Sequence, residues 1–222
     1  MSPLETLLRE MIAAEGPLPV DRYLALCLGH PRHGYYIARD PLGETGDFVT
    51  APEVSQVFGE LIAVWMASVW DSMGRPSALR LVELGPGRGT LMADVLRTLR
   101  KAVPDLAAAA AVHLVETSPV LRDRQRAALG EAASWQERLE EVPAGPMILI
   151  ANEFFDAIPI RQFERRHGEW RERVIGLGDG QLALGLGGTV QGPPGKDGDI
   201  LETAPARDQI ARDIGARLAA EG

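Results

Sequence analysis

The stretch from Leu79 to Leu99 constrains the fold of this chain more than any other part of it. An apolar run, Leu79 to Leu84, is interrupted only by Arg80 and Glu83. It passes directly into Gly85-Pro86-Gly87-Arg88-Gly89-Thr90 and then into a helical pattern through Leu91, Val95, Leu96 and Leu99. The order is strand, glycine-rich turn, helix. Glycines at alternate positions let the backbone turn sharply and come close to a ligand, and the next helix points its positive end at that ligand. A dinucleotide turn wants G-x-G-x-x-G, but Thr90 stands where its last glycine would be. The spacing G-x-G-x-G, with the acid Glu83 ahead of the first glycine, fits the turn that holds S-adenosylmethionine, which carries no phosphate. The plainer alternative is a tight turn with no ligand, which alternating glycines around a proline disfavour.

Two further strand-to-helix blocks follow. Val112 to Val115 reads as a buried strand ending in Glu116-Thr117, and Ser118-Pro119 opens a helix to Leu129. Met147 to Ala151 reads as a third buried strand, ending in Asn152-Glu153. Strands alternating with helices predict an α/β fold, a Rossmann-like parallel sheet with helical crossovers. An acid closing the second strand, here Glu116, is placed to accept hydrogen bonds from ribose hydroxyls. Its alternative role is to cap the next helix together with Ser118. The run Ala151 to Pro159 falls at the carboxyl edge of the sheet, where ligands sit. There Asn152 offers a donor and an acceptor, Phe154 and Phe155 offer flat apolar faces, and Glu153 and Asp156 are paired acids. A capped helix start with a buried phenylalanine is the other reading.

The flanks differ in character. Pro3 to Glu15 predicts an amphipathic helix with Ser2 as N-cap and Gly16-Pro17 as stop, and Val20 to Leu28 a second. Gly29 to Pro52 reads as a long functional loop. Val54 to Met73 predicts a helix with Val57, Leu61, Val64 and Trp65 on one face. Beyond Pro159, Ile160 to Phe163, Trp170 to Ile175 and Leu182 to Leu186 predict antiparallel strands joined by glycine turns. Gly187 to Gly198 is expected to be mobile, and Pro205 to Ala220 helical. The expected division is 1–76, a helical and lid segment; 77–159, the cofactor-binding core; 160–204, a β-rich insertion; and 205–222, a helix returning to the core.

Composition removes several function classes. The 222 residues suit one domain, or one domain with an extension. A formal net charge of −8 is poorly suited to tracking nucleic acid or an anionic membrane. One cysteine, Cys27, excludes an internal disulfide and reads as core rather than nucleophile. No apolar run approaches the roughly 18 residues of a membrane span, and the acidic N-terminus lacks a signal-peptide core, so a cytoplasmic location is the default expectation. His30 and His33 lack companion ligands, so no metal is expected. Trp65 and Trp70 are expected to pack, and nothing matches a G-x-S-x-G nucleophile turn.

Taken together, these residues resemble the MidA-like methyltransferase family. The carrying blocks are Gly29-His30-Pro31 through Gly34-Tyr35-Tyr36, Gly46 to Ser55, Glu83 to Thr90, Glu116-Thr117-Ser118-Pro119, and Asn152 to Pro159. The resemblance runs from about Leu4 to the last helix. It implies a class I fold that uses S-adenosyl-L-methionine, with Glu83, Gly85, Gly87, Gly89, Glu116, Thr117 and Asn152 at the cofactor. It also implies a protein substrate, an arginine on a respiratory-complex subunit in the mitochondrial member. Guanidinium stays protonated, so carboxylates must localise its charge and take up a proton; Glu153, Asp156 and Glu53 are the candidates. Tyr35, Phe48, Thr50, Phe154 and Phe155 are the candidate substrate and lid residues, with Gly46 to Glu53 closing over the site.

The family continues past the last helix with further strands, which this sequence does not contain. A sheet cut there exposes an apolar edge, so the expectation is a fragment, a disordered end, or an edge covered by a partner; a homo-oligomer is among the options. Two other classes stay open. One is a nicotinamide-dependent oxidoreductase, which Thr90 argues against. The other is a non-catalytic assembly protein that docks through its β-rich insertion.

Overall fold

The computed structural model describes residues 1–35 and 50–221. Phe48, and with it half of the expected lid, lies outside the described residues. The chain divides into two compact units: Met1–Arg39 with Asp156–Ala211, and Asp40–Phe155 with Arg212–Gly222. The segment expected as one piece, 1–76, is thus shared between them.

The second unit carries the parallel sheet. Its strands are β2 (Leu79–Leu84), β3 (Ala110–Val115), β4 (Ala133–Gln136) and β5 (Met147–Ile150), in the order β4-β3-β2-β5. All three pairings are parallel. The order reverses at β2, whose two neighbours are β3 and β5. That reversal is the switch point at which open α/β sheets bind ligands, outside the carboxyl ends of the strands. Strand β4 was not expected; its Ala-Ser-Trp-Gln is too short and too weakly alternating to stand out.

One face of the sheet is covered by α4 (Gln56–Ser72) and α5 (Thr90–Ala102). Leu79, Leu81, Leu114 and Ile148 pack there with Met66, Trp70, Met92, Val95 and Leu99. The expected helix from Val54 to Met73 is two pieces: a turn, α3 (Ala51–Val54), and α4, with extended Ser55 between them. Ser55 caps α4 by accepting a hydrogen bond from the amide of Val57.

The face of Val57, Leu61, Val64 and Trp65 is not the buried face of α4. Val57, Leu61, Val64 and Trp65 are 52%, 63%, 62% and 50% exposed, and the buried face is Gly59, Ala63, Met66 and Trp70. The helix is apolar on both sides, so periodicity alone could not choose. Small residues decide it: a Cβ on Gly59 would stand 2.5 Å from the Cβ of Asp94 on α5, an approach only glycine permits. Of the two tryptophans expected to pack, only Trp70 does so; its indole donates to the carbonyl of Pro76.

Helix α6 (Pro104–Ala109) leads into β3, and α7 (Pro119–Leu129) follows it. The alanine run therefore ends a helix at Ala109 and begins the strand at Ala110. On the other face of the sheet, Val82, Leu84, Leu139, Val142 and Met147 form a smaller core that Ile214 joins from α8 (Pro205–Glu221). Arg217 of α8 donates to the carbonyls of Leu139 and Val142.

The first unit is an antiparallel sheet. Its members are β1 (Leu18–Pro19), β6 (Arg161–Arg166), β7 (Glu169–Gly178), β8 (Gln181–Val190) and β9 (Ile200–Thr203), with α1 (Pro3–Glu15) and α2 (Val20–Gly29). Two-residue turns join β6 to β7 and β7 to β8. His167 and Gly168 have φ 54° and 79°, and Asp179 and Gly180 have φ 50° and 73°, the left-handed pairs that tight hairpins need. Within Gly187 to Gly198, expected to be mobile, β8 runs on to Val190, and Gly192, Pro193 and Gly195 lie against Trp170. The Trp170 indole donates to the Pro193 carbonyl at 2.7 Å, and a Cβ on Gly192 would lie 2.5 Å from its ring. Gly192 and Gly195 serve close packing against this ring. In the same unit Cys27 packs beside Leu8, Ile12 and Leu18, and burial pushes its thiol up, away from the thiolate a nucleophile needs.

Candidate functional site

Strand β2 delivers the glycine turn to the carboxyl edge of the parallel sheet. Gly85, Gly87 and Gly89 have φ 60°, 56° and 83°, a region that side-chain-bearing residues avoid. Gly85 also has no room for a side chain, because a Cβ there would stand 2.7 Å from Cδ2 of Phe154. Its amide donates to the Val115 carbonyl, which ties the turn to the end of β3. Gly89 is the N-cap residue of α5 and leaves the first helical amides without a side-chain acceptor.

Two carboxyls flank this turn. Glu83 pairs in register with Leu114 on β3 and Ile150 on β5, and it is 3% exposed. Its Oε2 has no hydrogen-bond partner, and burial alone pushes its pKa up to about 8. Glu116 ends β3 and is also buried. Its Oε1 accepts from the amide of Ser118 at 2.7 Å, and its Oε2 accepts from the side chain of Gln125 at 3.3 Å. Burial raises its pKa, and hydrogen bonds from Ser118, Gln125 and the amide of Thr117, with the charge of Arg122, oppose the rise. Ser118 caps α7 at Leu121 while its amide holds Glu116.

The remaining candidates separate by environment. Glu53 accepts from the hydroxyl of Thr90 at 2.6 Å and from Arg88 at 3.4 Å, so it holds the entrance of α5. Thr50 precedes α3 as its N-cap residue. Asn152 and Glu153 follow β5; Glu153 is exposed, with a φ of 47° unusual for a side-chain-bearing residue. Phe154 packs on the smaller core and stands edge-on to Phe155, ring centroids 5.3 Å apart. Asp156 is exposed and opens the second segment of the other unit, and half-buried Tyr35 also belongs to that unit. Among the described residues no group of His, Cys, Asp and Glu could hold a metal ion. The rings of His30 and His33 stack on each other, and Nδ1 of His30 accepts from the amides of Arg32 and His33.

Gln125 went unnoticed in the sequence. It is fully buried on α7 between Leu121 and Leu129, so a polar side chain occupies the apolar stripe of the helix. That misfit is the signal that could have found it.

The arrangement suits a nucleoside ligand without phosphate. Backbone can approach closely at the turn, and a buried acceptor waits at the end of the second strand. A buried carboxyl before the turn, with its Oε2 free of hydrogen bonds, can accept from an ammonium group. These features fit S-adenosylmethionine, which carries a ribose, an ammonium and a sulfonium.

Comparison with known proteins agrees. The family described as "Putative S-adenosyl-L-methionine-dependent methyltransferase" matches residues 61–222. The chain is 42% identical over 191 residues to the fruit-fly protein named "Protein arginine methyltransferase NDUFAF7 homolog, mitochondrial" (Drosophila melanogaster), covering 76% of this chain and 43% of that one. It is 38% identical over 203 residues to the human protein arginine methyltransferase NDUFAF7, mitochondrial, covering 79% and 46%. The chain therefore spans somewhat under half the length of these curated relatives. A crystal structure from Burkholderia thailandensis, of a protein bound to S-adenosyl-homocysteine, superposes with a TM-score of 0.78 at 28% identity, covering 97% of this chain and 59% of that one.

Proposed function

We propose, from the premise that this chain belongs to the MidA-like family of S-adenosyl-L-methionine-dependent methyltransferases, that its parallel-sheet unit is the cofactor-binding part of a protein methyltransferase. The observation that carries the reading is the buried Glu116 carboxylate, held by Ser118 and Gln125 at the end of β3 beside the left-handed glycine turn. Gly85, Gly87 and Gly89 would hold the cofactor by backbone approach. Glu116, with the adjacent Thr117, would take the ribose, and Glu83 and Asn152 the amino-acid end and the flanking edge. When bound, S-adenosylmethionine supplies a methyl group already activated on a sulfonium.

The acceptor we propose is an arginine of a protein, as the names of the relatives suggest; a respiratory-complex subunit is the narrower form of that proposal. A guanidinium has a delocalised lone pair and stays protonated, so the chain must supply carboxylates. A carboxylate paired with one edge of the group localises its charge there and leaves another nitrogen to attack. The same carboxylate can accept the proton released as the new bond forms. Glu153 and Asp156 are exposed and available for that work. Glu53 is already engaged by Thr90 and Arg88, so its part would be to position the start of α5. Phe154 and Phe155 offer apolar cover from water.

Calorimetry with S-adenosylhomocysteine tests the placement without needing the acceptor. Glu116→Ala removes a charged acceptor and should cost at least ~10-fold in affinity. Gly87→Val should cost more, because valine does not tolerate the turn's φ. NADH should not compete. Unchanged affinity in both variants would sink the placement. Labelled-methyl transfer from S-adenosylmethionine to arginine-containing protein tests the activity, and its absence alongside tight binding would favour a non-catalytic assembly role.

A further inference from the structure

The structure assigns Gln125 the role of positioning residue for the ribose-binding carboxylate. It joins the glycine turn and Glu116 into one preset acceptor for the two hydroxyls of the ribose. The inference rests on the cofactor reading above and goes beyond it.

The geometry leaves one arrangement for this amide. The Trp135 indole can only donate, and it does so to Oε1 of Gln125 at 2.8 Å. The amide nitrogen therefore faces the other way, toward groups that can only accept. It donates to the carbonyl of Gly87 at 2.7 Å and to Oε2 of Glu116 at 3.3 Å. Both amide hydrogens are used and the orientation is fixed by chemistry. The stem is held as well: a Cβ on Gly89 would stand 3.3 Å from Cγ of Gln125, so the side chain lies against the third glycine of the turn. Gln125 itself is 0% exposed.

One neutral side chain thus touches the second glycine, the third glycine and the acid. It spans elements far apart in sequence: the turn after β2, the end of β3, α7 and, through Trp135, β4. Its effect on Glu116 is specific. Ser118 holds Oε1 and Gln125 holds Oε2, so the carboxylate plane cannot rotate, and its remaining lone pairs point in set directions. A diol needs two acceptors at fixed separation and direction, whereas a single hydroxyl can follow a rotating carboxylate. Gln125 also opposes the pKa rise that burial imposes on Glu116.

A ligand pair isolates this role from folding. Adenosine carries the diol and 2′,3′-dideoxyadenosine lacks it. The full chain should bind adenosine at least ~10-fold more tightly, since its hydroxyls bond a charged group. Gln125→Met keeps the shape of the stem and removes the amide. It should bring the preference below about 3-fold while the affinity for dideoxyadenosine changes by less than about 2-fold. Trp135→Phe, at a half-buried position, removes only the anchor of the amide and should lower the preference part of the way. It keeps the test alive if Gln125→Met does not fold. Equal weakening of both nucleosides in either variant would show a role in folding alone and overturn the proposal, as would an unchanged preference. If the unaltered chain binds S-adenosylhomocysteine but shows no preference for the diol, the positioning role fails and the cofactor reading stands. If it binds no nucleoside at all, both fail together.

Discussion

The two sheets treat polar side chains in opposite ways. In the antiparallel unit, Arg161 and Arg166 find partners on the same or the adjacent strand, although the buried Nε of Arg173 has no hydrogen bond. Arg161 donates two hydrogen bonds to Glu172 across β6 and β7, and Arg166 pairs with Glu164 on β6 itself. Asp197 receives the amides of His167 and Gly168 and closes the hairpin turn on itself. In the parallel unit, the polar groups at the carboxyl edge are buried and incompletely used. Glu83 has an orphaned oxygen, and Glu116 is braced by neighbours that leave acceptor capacity over. A buried polar group costs stability unless it is satisfied. On the proposed cofactor reading, the first sheet spends its polar groups on its own fold, whereas the second holds them in reserve for a ligand. The glycines divide the same way: those of the β2 turn open backbone at a ligand-facing edge, while Gly192 makes room for Trp170.

The sharpest way to break this contrast is at Gly85. Gly85→Val puts a branched side chain at φ 60° and 2.7 Å from the Phe154 ring. Left-handed strain costs about 1–2 kcal/mol and overpacking about 1–3 kcal/mol more, on top of the blocked approach to the ligand. Affinity for S-adenosylhomocysteine should fall by at least ~100-fold, measured by calorimetry on protein that remains folded. Retention of affinity would mean that the turn is structural, like the glycines of the other sheet.

Glu83 gives the next largest effect, through pH. Its carboxyl is held up at about 8 in the folded chain, while in the unfolded chain it titrates in the ordinary carboxylate range. Between those values the folded state binds the extra proton. Stability contributed by this group is therefore full at acid pH, falls as pH rises through that window, and levels off above pH 8. Glu83→Gln should flatten that decline and leave the variant more stable than the parent at pH 8, on the order of a few kcal/mol. Urea titrations at pH 5 and pH 8 check it. A parent with no decline across that range would show that Glu83 is satisfied, and the contrast between the sheets would weaken. Cationic S-adenosylmethionine should also gain over neutral S-adenosylhomocysteine as pH rises toward 8.

How much of this was legible depended on the range of the interaction involved. The β2 turn, the hairpin turns at His167-Gly168 and Asp179-Gly180, and the cap at Ser118 are local backbone requirements, and each leaves its own residues in the sequence. Glu116 was readable because a strand end places it. Gln125 was not, because its partners at Gly87 and Trp135 meet only in the folded chain. The buried face of α4 was not legible because both of its sides are apolar and the choice lies in the fit of Gly59 against Asp94. The stretch from Gly187 to Gly198 looked mobile because its glycines announce freedom, while the ring that uses them lies at Trp170.

Within the antiparallel unit the effects should be confined to stability. Trp170→Phe loses the hydrogen bond to Pro193 and part of a ring that is 4% exposed. It should cost about 1–3 kcal/mol and speed hydrogen exchange along β7 and β8. Exchange confined to parent rates there would mean that the glycine-rich stretch does not depend on the ring.

The smallest effect is expected at Glu172, and its smallness is the informative part. The Arg161–Glu172 pair is partly exposed, with side chains 38% and 16% accessible, and it sits where water screens it. Glu172→Ala should cost only about 0.2–1 kcal/mol. Arg161 loses one partner but keeps its stacking over the Phe163 ring, which limits the loss. Affinity for S-adenosylhomocysteine should not change. Glu116→Ala removes the same chemical group from the other sheet, and there the effect reaches the ligand: affinity falls by at least ~10-fold, while stability falls by about 1–3 kcal/mol because the Ser118 amide and the Gln125 side chain lose their acceptor. Measuring both variants by urea titration and calorimetry gives a two-by-two comparison. If Glu172→Ala moved affinity, or Glu116→Ala moved stability alone, the division between a sheet that spends its polar groups and one that reserves them would be wrong.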